Sequence, residues 1–151
     1  VTLVSWSRQL LACETACQSL AAQGVSVELI DLRTLWPWDR ETVLNSCAKT
    51  CHLLVVHEAV QAAGFGAEIV ATVAEQLGVR VKRLGAPRIP VGYSPGLEAV
   101  SRIGPEAIDH ASAKSLCSCN ADEWPTTLHA NTKFRCSRWR VSCSLTWNFG
   151  A

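Results

Sequence analysis

Two stretches decide the fold: Val25-Ser26-Val27-Glu28-Leu29-Ile30-Asp31-Leu32-Arg33-Thr34-Leu35-Trp36-Pro37-Trp38-Asp39, and Leu53-Leu54-Val55-Val56-His57-Glu58-Ala59. The first alternates apolar and polar residues up to Ile30 and then breaks at Asp31. The second begins with four apolar residues in a row, the pattern of a central parallel strand buried on both faces, and then breaks into charge. In an open α/β sheet, ligands and partners gather at the carboxyl ends of the strands. Asp31 and Arg33 on one side, and His57 and Glu58 on the other, are therefore expected to mark that edge.

The flanking sequence fits the same plan. Thr2 to Trp6 is a short β-rich run, followed by Leu10, Cys13, Cys17 and Leu20 at helical spacing over Arg8 to Gln23, with Gly24 placed to end the helix. Trp36-Pro37-Trp38 reads as a turn, and Asp39 is a good N-cap for a helix carrying Val43, Leu44, Cys47 and Ala48 on one face. Gly64-Phe65-Gly66 opens a third helix with a core stripe of Ile69, Val70, Val73, Ala74 and Leu77, and Gly78 ends it. Val79 to Leu84 reads as a further strand. Pro87 and Pro90 break regular structure, loop and a short helix span Ser94-Pro95 to Pro105, and Pro105 to Lys114 reads as a last helix with its proline near N1. Strand–helix alternation of this kind means right-handed crossovers. The expected fold is α/β, a three-layer open sheet of four to five mostly parallel strands with helices on both faces.

The chain has 151 residues, 48% hydrophobic and 18% charged, with a net charge of +1. That length supports one domain with a real core. So small a charge speaks for neither nucleic acid nor an anionic membrane, and no stretch approaches the roughly 20 apolar residues of a membrane-crossing helix. The opening Val1-Thr2-Leu3-Val4-Ser5 has no basic n-region or cleavage site and reads as a strand. With Val1 first and no methionine anywhere, the chain is expected to begin inside something longer. The first four of its eight cysteines fall in or at the ends of helical segments, which points to a reducing, cytoplasmic setting.

The pattern changes near residue 115. From Cys117 to Ala151 the chain holds four of eight cysteines, three of six tryptophans and two of three phenylalanines, with no persistent period. The expected division is a domain over 1–114 and an atypical tail over 115–151, disordered or unevolved. Arg135, Arg138 and Arg140 lie among its aromatics, a pattern that can bind single-stranded nucleic acid, but an unevolved extension accounts for it better.

Few residues carry chemistry on their own. Cys13-x-x-x-Cys17 and Cys47-x-x-x-Cys51-His52 lack the tight knuckle spacing usual in zinc sites, Cys117-x-Cys119 is no better as a metal signal, and Cys13 and Cys17 share a stripe with Leu10 and Leu20, as small core residues do. Gly64-x-Gly66 at a helix start suits a phosphate, yet Ile69 stands where the third glycine of the fingerprint belongs, and tight loop packing is the simpler reading. His57 and Glu58 form an acid/base pair by type, but adjacent strand residues point to opposite faces, so an edge network that orients loops suits them better. Asp31 and Arg33, two apart, suit an ion pair within the domain. No catalytic, cofactor-binding or metal residue is assigned.

Taken in order, Val25 to Thr34, Pro37 with Asp39, Lys49-Thr50, His57-Glu58-Ala59, Gly64-Phe65-Gly66-Ala67-Glu68-Ile69, and Pro90 with Tyr93 are a pattern. From Val1 to about Ile108 the chain resembles the C-terminal, transketolase-like domain of the beta subunit of thiamine-diphosphate-dependent 2-oxoacid dehydrogenases, the family of the pyruvate, branched-chain 2-oxoacid and acetoin enzymes. His-Glu-Ala looks most like the branched-chain and general 2-oxoacid members, and the D-x-R turn is shared with transketolase-like synthases. In the family, the beta subunit's N-terminal domain carries the glutamate that activates the cofactor, and the alpha subunit binds the diphosphate and its magnesium. The resemblance therefore implies a domain that builds the subunit interface and helps dock the lipoyl acyltransferase core. The parent reaction is oxidative decarboxylation of a 2-oxoacid with acyl transfer to lipoamide. Thiamine diphosphate and magnesium belong to that parent complex, and this chain alone is expected to bind no cofactor and to be inactive. Its expected partners are the alpha subunit and the acyltransferase core, or a second copy of itself when alone. Trp36, Trp38 and Phe65 are the expected interface anchors, since large aromatics dominate interfaces, with local packing as the alternative. The competing class is a free-standing, truncated interaction module with no catalytic role.

Overall fold

Leu3 and Val4 point to opposite faces of a sheet, and each face is covered. In the computed structural model, which describes residues 1–117, four strands form that sheet: β1 (Thr2–Ser5), β2 (Glu28–Asp31), β3 (His52–Val60) and β4 (Arg80–Ala86). Their order is β2-β1-β3-β4 and every neighbouring pair is parallel. Val4 stands opposite both Ile30 and Val55, and Val55 in turn opposite Arg83. The helices are α1 (Gln9–Ala22), α2 (Arg40–Thr50), α3 (Gly66–Leu77), α4 (Pro95–Ser101) and α5 (Pro105–Cys117).

Two core layers follow from the strand alternation. On one face Leu3, Leu54 and Val56 meet Cys13 and Ala16 of α1 and Ile108 and Ala111 of α5. On the other, Val4, Leu53 and Val55 meet Val43 and Cys47 of α2 and Ile69 and Val73 of α3. Leu53, Leu54, Val55 and Val56 are all fully buried, so each contributes on the order of 1.5–3 kcal/mol by leaving water. The expected α/β architecture, with one parallel sheet and helices on both faces, is the one observed.

Local chemistry sets the element ends. Asp39 caps α2: its carboxylate accepts from the Thr42 amide at 3.0 Å and from the Thr42 hydroxyl at 2.6 Å. Both bonds favour the ionised carboxyl and lower its pKa, the hydroxyl more than the amide. Gly78 ends α3 in the left-handed conformation.

Several details differ from the sequence reading. β2 starts at Glu28 rather than Val25, because Glu28 is the partner of Thr2 at the start of β1. On α2, Ser46 is buried and Ala48 exposed; on α3, Thr72 is buried and Ala74 exposed. The apolar stripe is thus rotated slightly, with a hydroxyl filling each place. Ser46 repays burial with hydrogen bonds to Thr2 and Glu28 at 2.7 and 2.8 Å. β3 does not stop before His57 but continues to Val60, with a register irregularity against β4 between Val56 and Val60. α5 reaches Cys117, three residues into the segment assigned to the tail. The rest of that tail, 118–151, with its arginines and Cys119, lies outside the described residues.

Candidate functional site

The chain passes from β1 outward to β2, then back across β1 to β3, so the topological switch lies between β1 and β3. Ligands of doubly wound sheets gather outside the carboxyl ends of such strands. Here Trp6 follows β1 directly, and His57 lies late in β3 on the same face as Val55. Their rings stack at 5.5 Å and 15°. Phe65, just before α3, meets Trp6 edge-on at 6.2 Å and 78° and Trp38 at 6.5 Å and 88°. Arg40 of α2 sits 5.5 Å above the Trp38 ring and reaches Glu68 at 3.7 Å and Thr72 at 3.4 Å. A row of aromatic rings therefore closes the switch point.

His57 is the centre of that row, fully buried. Its imidazole occupies the space that side chains at Gly64 and Gly66 would need: a Cβ on Gly64 would lie 2.3 Å from Cε1, and one on Gly66 would lie 2.4 Å from Cδ2. The two glycines let the backbone close over the ring. Neither ring nitrogen has a hydrogen-bond partner, and Nη1 of Arg83 on β4 is likewise buried without one. Burial pushes the His57 pKa down, the backbone at Ala59 opposes this, and the Arg83 charge adds to the depression. A neutral imidazole shut away from solvent is poorly placed to exchange protons with a substrate.

Beside the row lies an open cleft of about 390 Å³, lined by Trp6, Ser7, Leu10, Asp31, Leu32, Arg33 and Leu35. Asp31 and Arg33 form an ion pair across two residues. The Arg33 side chain is 88% exposed, so the pair contributes roughly 0–1 kcal/mol. Ser7, at φ 57°, adopts the left-handed conformation where the chain turns from β1 into α1.

The buried thiols offer no nucleophile at neutral pH. Burial pushes Cys13 and Cys47 up to about 11, against hydrogen bonds from Ser5 and Thr2 that act the other way; a thiol so raised stays protonated. Among the described residues, no group of three or more His, Cys, Asp or Glu side chains converges as metal ligands, and no helix is long and apolar enough to cross a membrane.

The structure thus divides the residues singled out from sequence. Asp31 and Arg33 are together at the edge, at the cleft. His57 faces inward while its neighbour Glu58 is exposed, so the two do not act as a pair. His57 is not a strand terminus. Of the aromatic anchors, Trp36 is 82% exposed but Trp38 is buried at 6%, and Phe65 packs against Trp6 and Trp38. Trp38, directly before the Asp39 cap of α2, packs between Phe65 and Arg40, and Phe65 is partly buried between the two tryptophan rings. Gly64 and Gly66 pack a side chain rather than a phosphate.

Two features escaped the sequence reading. Trp6 reads there only as the end of a β-rich run; its signal is its period-2 place after Thr2 and Val4, which puts it over the sheet. The second is an exposed apolar strip: Ile89, Val91, Tyr93, Leu97 and Val100 are all exposed, and α4 has no buried residue. Leu97 and Val100, three apart on a short helix, were its signal.

Comparison with known proteins agrees with the fold. The family model described as "Transketolase, C-terminal domain" matches residues 1–108. The mitochondrial 2-oxoisovalerate dehydrogenase subunit beta 2 of Arabidopsis thaliana is 50% identical over 82 residues, covering 54% of this chain and 23% of that protein. The mitochondrial pyruvate dehydrogenase E1 component subunit beta of Dictyostelium discoideum is 36% identical over 118 residues, covering 76% of this chain and 33% of that protein. The match thus spans about a quarter to a third of the length of these curated relatives. Among solved structures, a split-gene transketolase, an inactive beta4 tetramer, superposes with a TM-score of 0.70 at 22% identity over 77% of this chain and 39% of that chain, a likeness of fold.

Proposed function

We propose, from the premise that this chain belongs to the transketolase C-terminal domain family, that it is the C-terminal domain of a 2-oxoacid dehydrogenase beta subunit and works in assembly and docking rather than in chemistry. The observation that carries this reading is the contrast between two surfaces. The switch point between β1 and β3, where a doubly wound domain would hold a substrate, is filled by the domain's own rings, Trp6, His57 and Phe65. The apolar strip from Ile89 to Val100 is open to solvent, and exposed apolar strips mark contact surfaces.

Thiamine diphosphate with magnesium is the cofactor that the parent complex implies. The residues here do not fit it. The glycine-flanked start of α3 holds the His57 ring rather than a phosphate, and the described residues bring no carboxylate cluster to it. We place cofactor binding in the remainder of the parent enzyme: its N-terminal beta domain and its alpha subunit. The reaction of that enzyme is decarboxylation of a 2-oxoacid with acyl transfer to lipoamide. The partners are the alpha subunit and the lipoyl acyltransferase core. Buried thiols at Cys13 and Cys47 suit a reducing compartment such as the cytoplasm.

Two measurements test the reading. The chain, co-expressed with a 2-oxoacid dehydrogenase alpha subunit, is expected to copurify with it while releasing no carbon dioxide from branched-chain 2-oxoacids. Calorimetric titration with thiamine diphosphate and magnesium is expected to show no binding; micromolar affinity, or decarboxylation by the chain alone, would overturn the assignment.

A further inference from the structure

We propose that His57 is a pH-sensitive clasp: its neutral ring holds the loop 61–66 closed over the carboxyl edge of the sheet, and protonation of the ring releases that loop. The fold makes the ring a structural filler. It is fully buried, stacked on Trp6 at 5.5 Å, and in close contact with Gly64 and Gly66. Neither nitrogen makes a well-formed hydrogen bond; the Ala59 backbone favours the charged ring without completing one. A neutral imidazole in that position leaves one N–H and one lone pair unmet. An imidazolium would add a second N–H and a charge, which a buried site with no counter-charge strongly disfavours.

The charged surroundings do not relieve it. From β4 the facing charge is Arg83, of the same sign, with its own Nη1 unpartnered. From α3 the first-turn acid is Glu68, which is engaged by Arg40 at 3.7 Å. Glu58, next along β3, is exposed on the other side of the strand. The loop and the end of β1 present Gly64, Phe65 and Trp6, which carry no charge. Stacking on Trp6 and the Ala59 backbone both favour the charged ring, and burial outweighs them.

The means of relief is the loop itself. Gln61, Ala62 and Ala63 are exposed, and the segment is tied at its start by the Gln61 amide donating to the Ala86 carbonyl at 3.0 Å. Swinging Gly64-Phe65 outward would admit water to the imidazole and break the Trp6–Phe65–Trp38 row. The sign follows. The folded-state pKa lies below the ordinary 6.5, so the stabilisation is whole above that value and is lost as pH falls through the folded pKa.

The test uses the full chain, with NMR titration of the histidine rings and amide hydrogen exchange between about pH 7.5 and pH 5. The His57 ring is expected to titrate below 6.5, and exchange at residues 61–66, corrected for intrinsic rates, to rise about tenfold per unit of pKa depression. His57→Asn is expected to fold less stably and to abolish the pH dependence of that exchange. An unchanged loop across the titration, a His57 midpoint at or above 6.5, or a folded His57→Asn variant with the same pH dependence would each overturn the proposal. Should that variant not fold, the native-chain titration and exchange decide alone.

Discussion

At Gly66 the packing sets a sharp limit. A methyl there would meet Cδ2 and Nε2 of His57 at 2.4 and 2.6 Å and Val55 Cγ1 at 3.1 Å. The ring cannot step aside, since Trp6 stacks on it and Gly64 lies against it. Gly66→Ala is therefore expected to destabilise the domain by about 1–3 kcal/mol through overpacking, read as a lower urea midpoint. Gly96 is the matched control. It lies in α4, where an added methyl would have nothing within 4 Å, so Gly96→Ala is expected to be neutral or to stabilise by about 0.5–1 kcal/mol through helix propensity. Equal losses at the two sites would show that the His57 contact does not limit position 66. From the sequence, Gly64-x-Gly66 offered two readings, a phosphate cradle or tight packing. The deciding fact is a side chain seven residues upstream of Gly64 that folds back into the gap.

At the scale of elements, β3 organises both layers: Leu53 and Val55 serve one core, Leu54 and Val56 the other. Leu54 is fully buried between α1 and α5, so Leu54→Ala is expected to cost about 2–5 kcal/mol in chemical denaturation, the cavity adding to the lost transfer energy. A loss below about 1 kcal/mol would mean that α5 collapses onto the gap. Strand existence was legible because four apolar residues in a row leave few alternatives to a doubly buried strand. Its end was not. His57 and Glu58 read as a charged stop, whereas His57 stays neutral and inside, so the strand runs on to Val60. The same limit appears in α2 and α3. A helical stripe predicts a face, but a hydroxyl that finds a partner, as Ser46 does, sits inside as readily as alanine. Alternation at Val25 to Val27 suggested a longer β2, yet a strand lasts only as long as its neighbour, and β1 begins at Thr2. The Asp39 cap was legible because its chemistry is local: a carboxylate and an amide three residues on. For Trp38 the sequence left two readings open, interface anchor or local packing, because which way a loop indole turns depends on distant partners, here Phe65 and Arg40.

At the scale of the molecule, the described residues leave a band of apolar surface exposed. Val91, Tyr93, Leu97 and Val100 are exposed along one short stretch, Tyr93 completely, and Trp36 adds a separate exposed ring near the cleft. Nothing in the packing of α4 stabilises that arrangement for its own sake, since the helix buries none of its residues and is held by a Ser94 cap and an Arg102–Glu98 ion pair. In a beta subunit, a neighbouring domain or subunit would cover such a strip; a second copy of the chain offers an apolar surface of the same kind. The chain alone is therefore expected to self-associate, with a weight-average mass by light scattering that rises with concentration. Leu97→Glu combined with Val100→Glu is expected to shift it toward monomer without lowering stability, because both side chains are more than half exposed. Trp36→Ser is expected to have the smaller effect, standing apart from the strip. A mass that stays monomeric throughout the series would rule out this surface as an interface between copies. An equal response to Trp36→Ser would move the contact to the carboxyl edge of the sheet, beside Asp31 and Arg33.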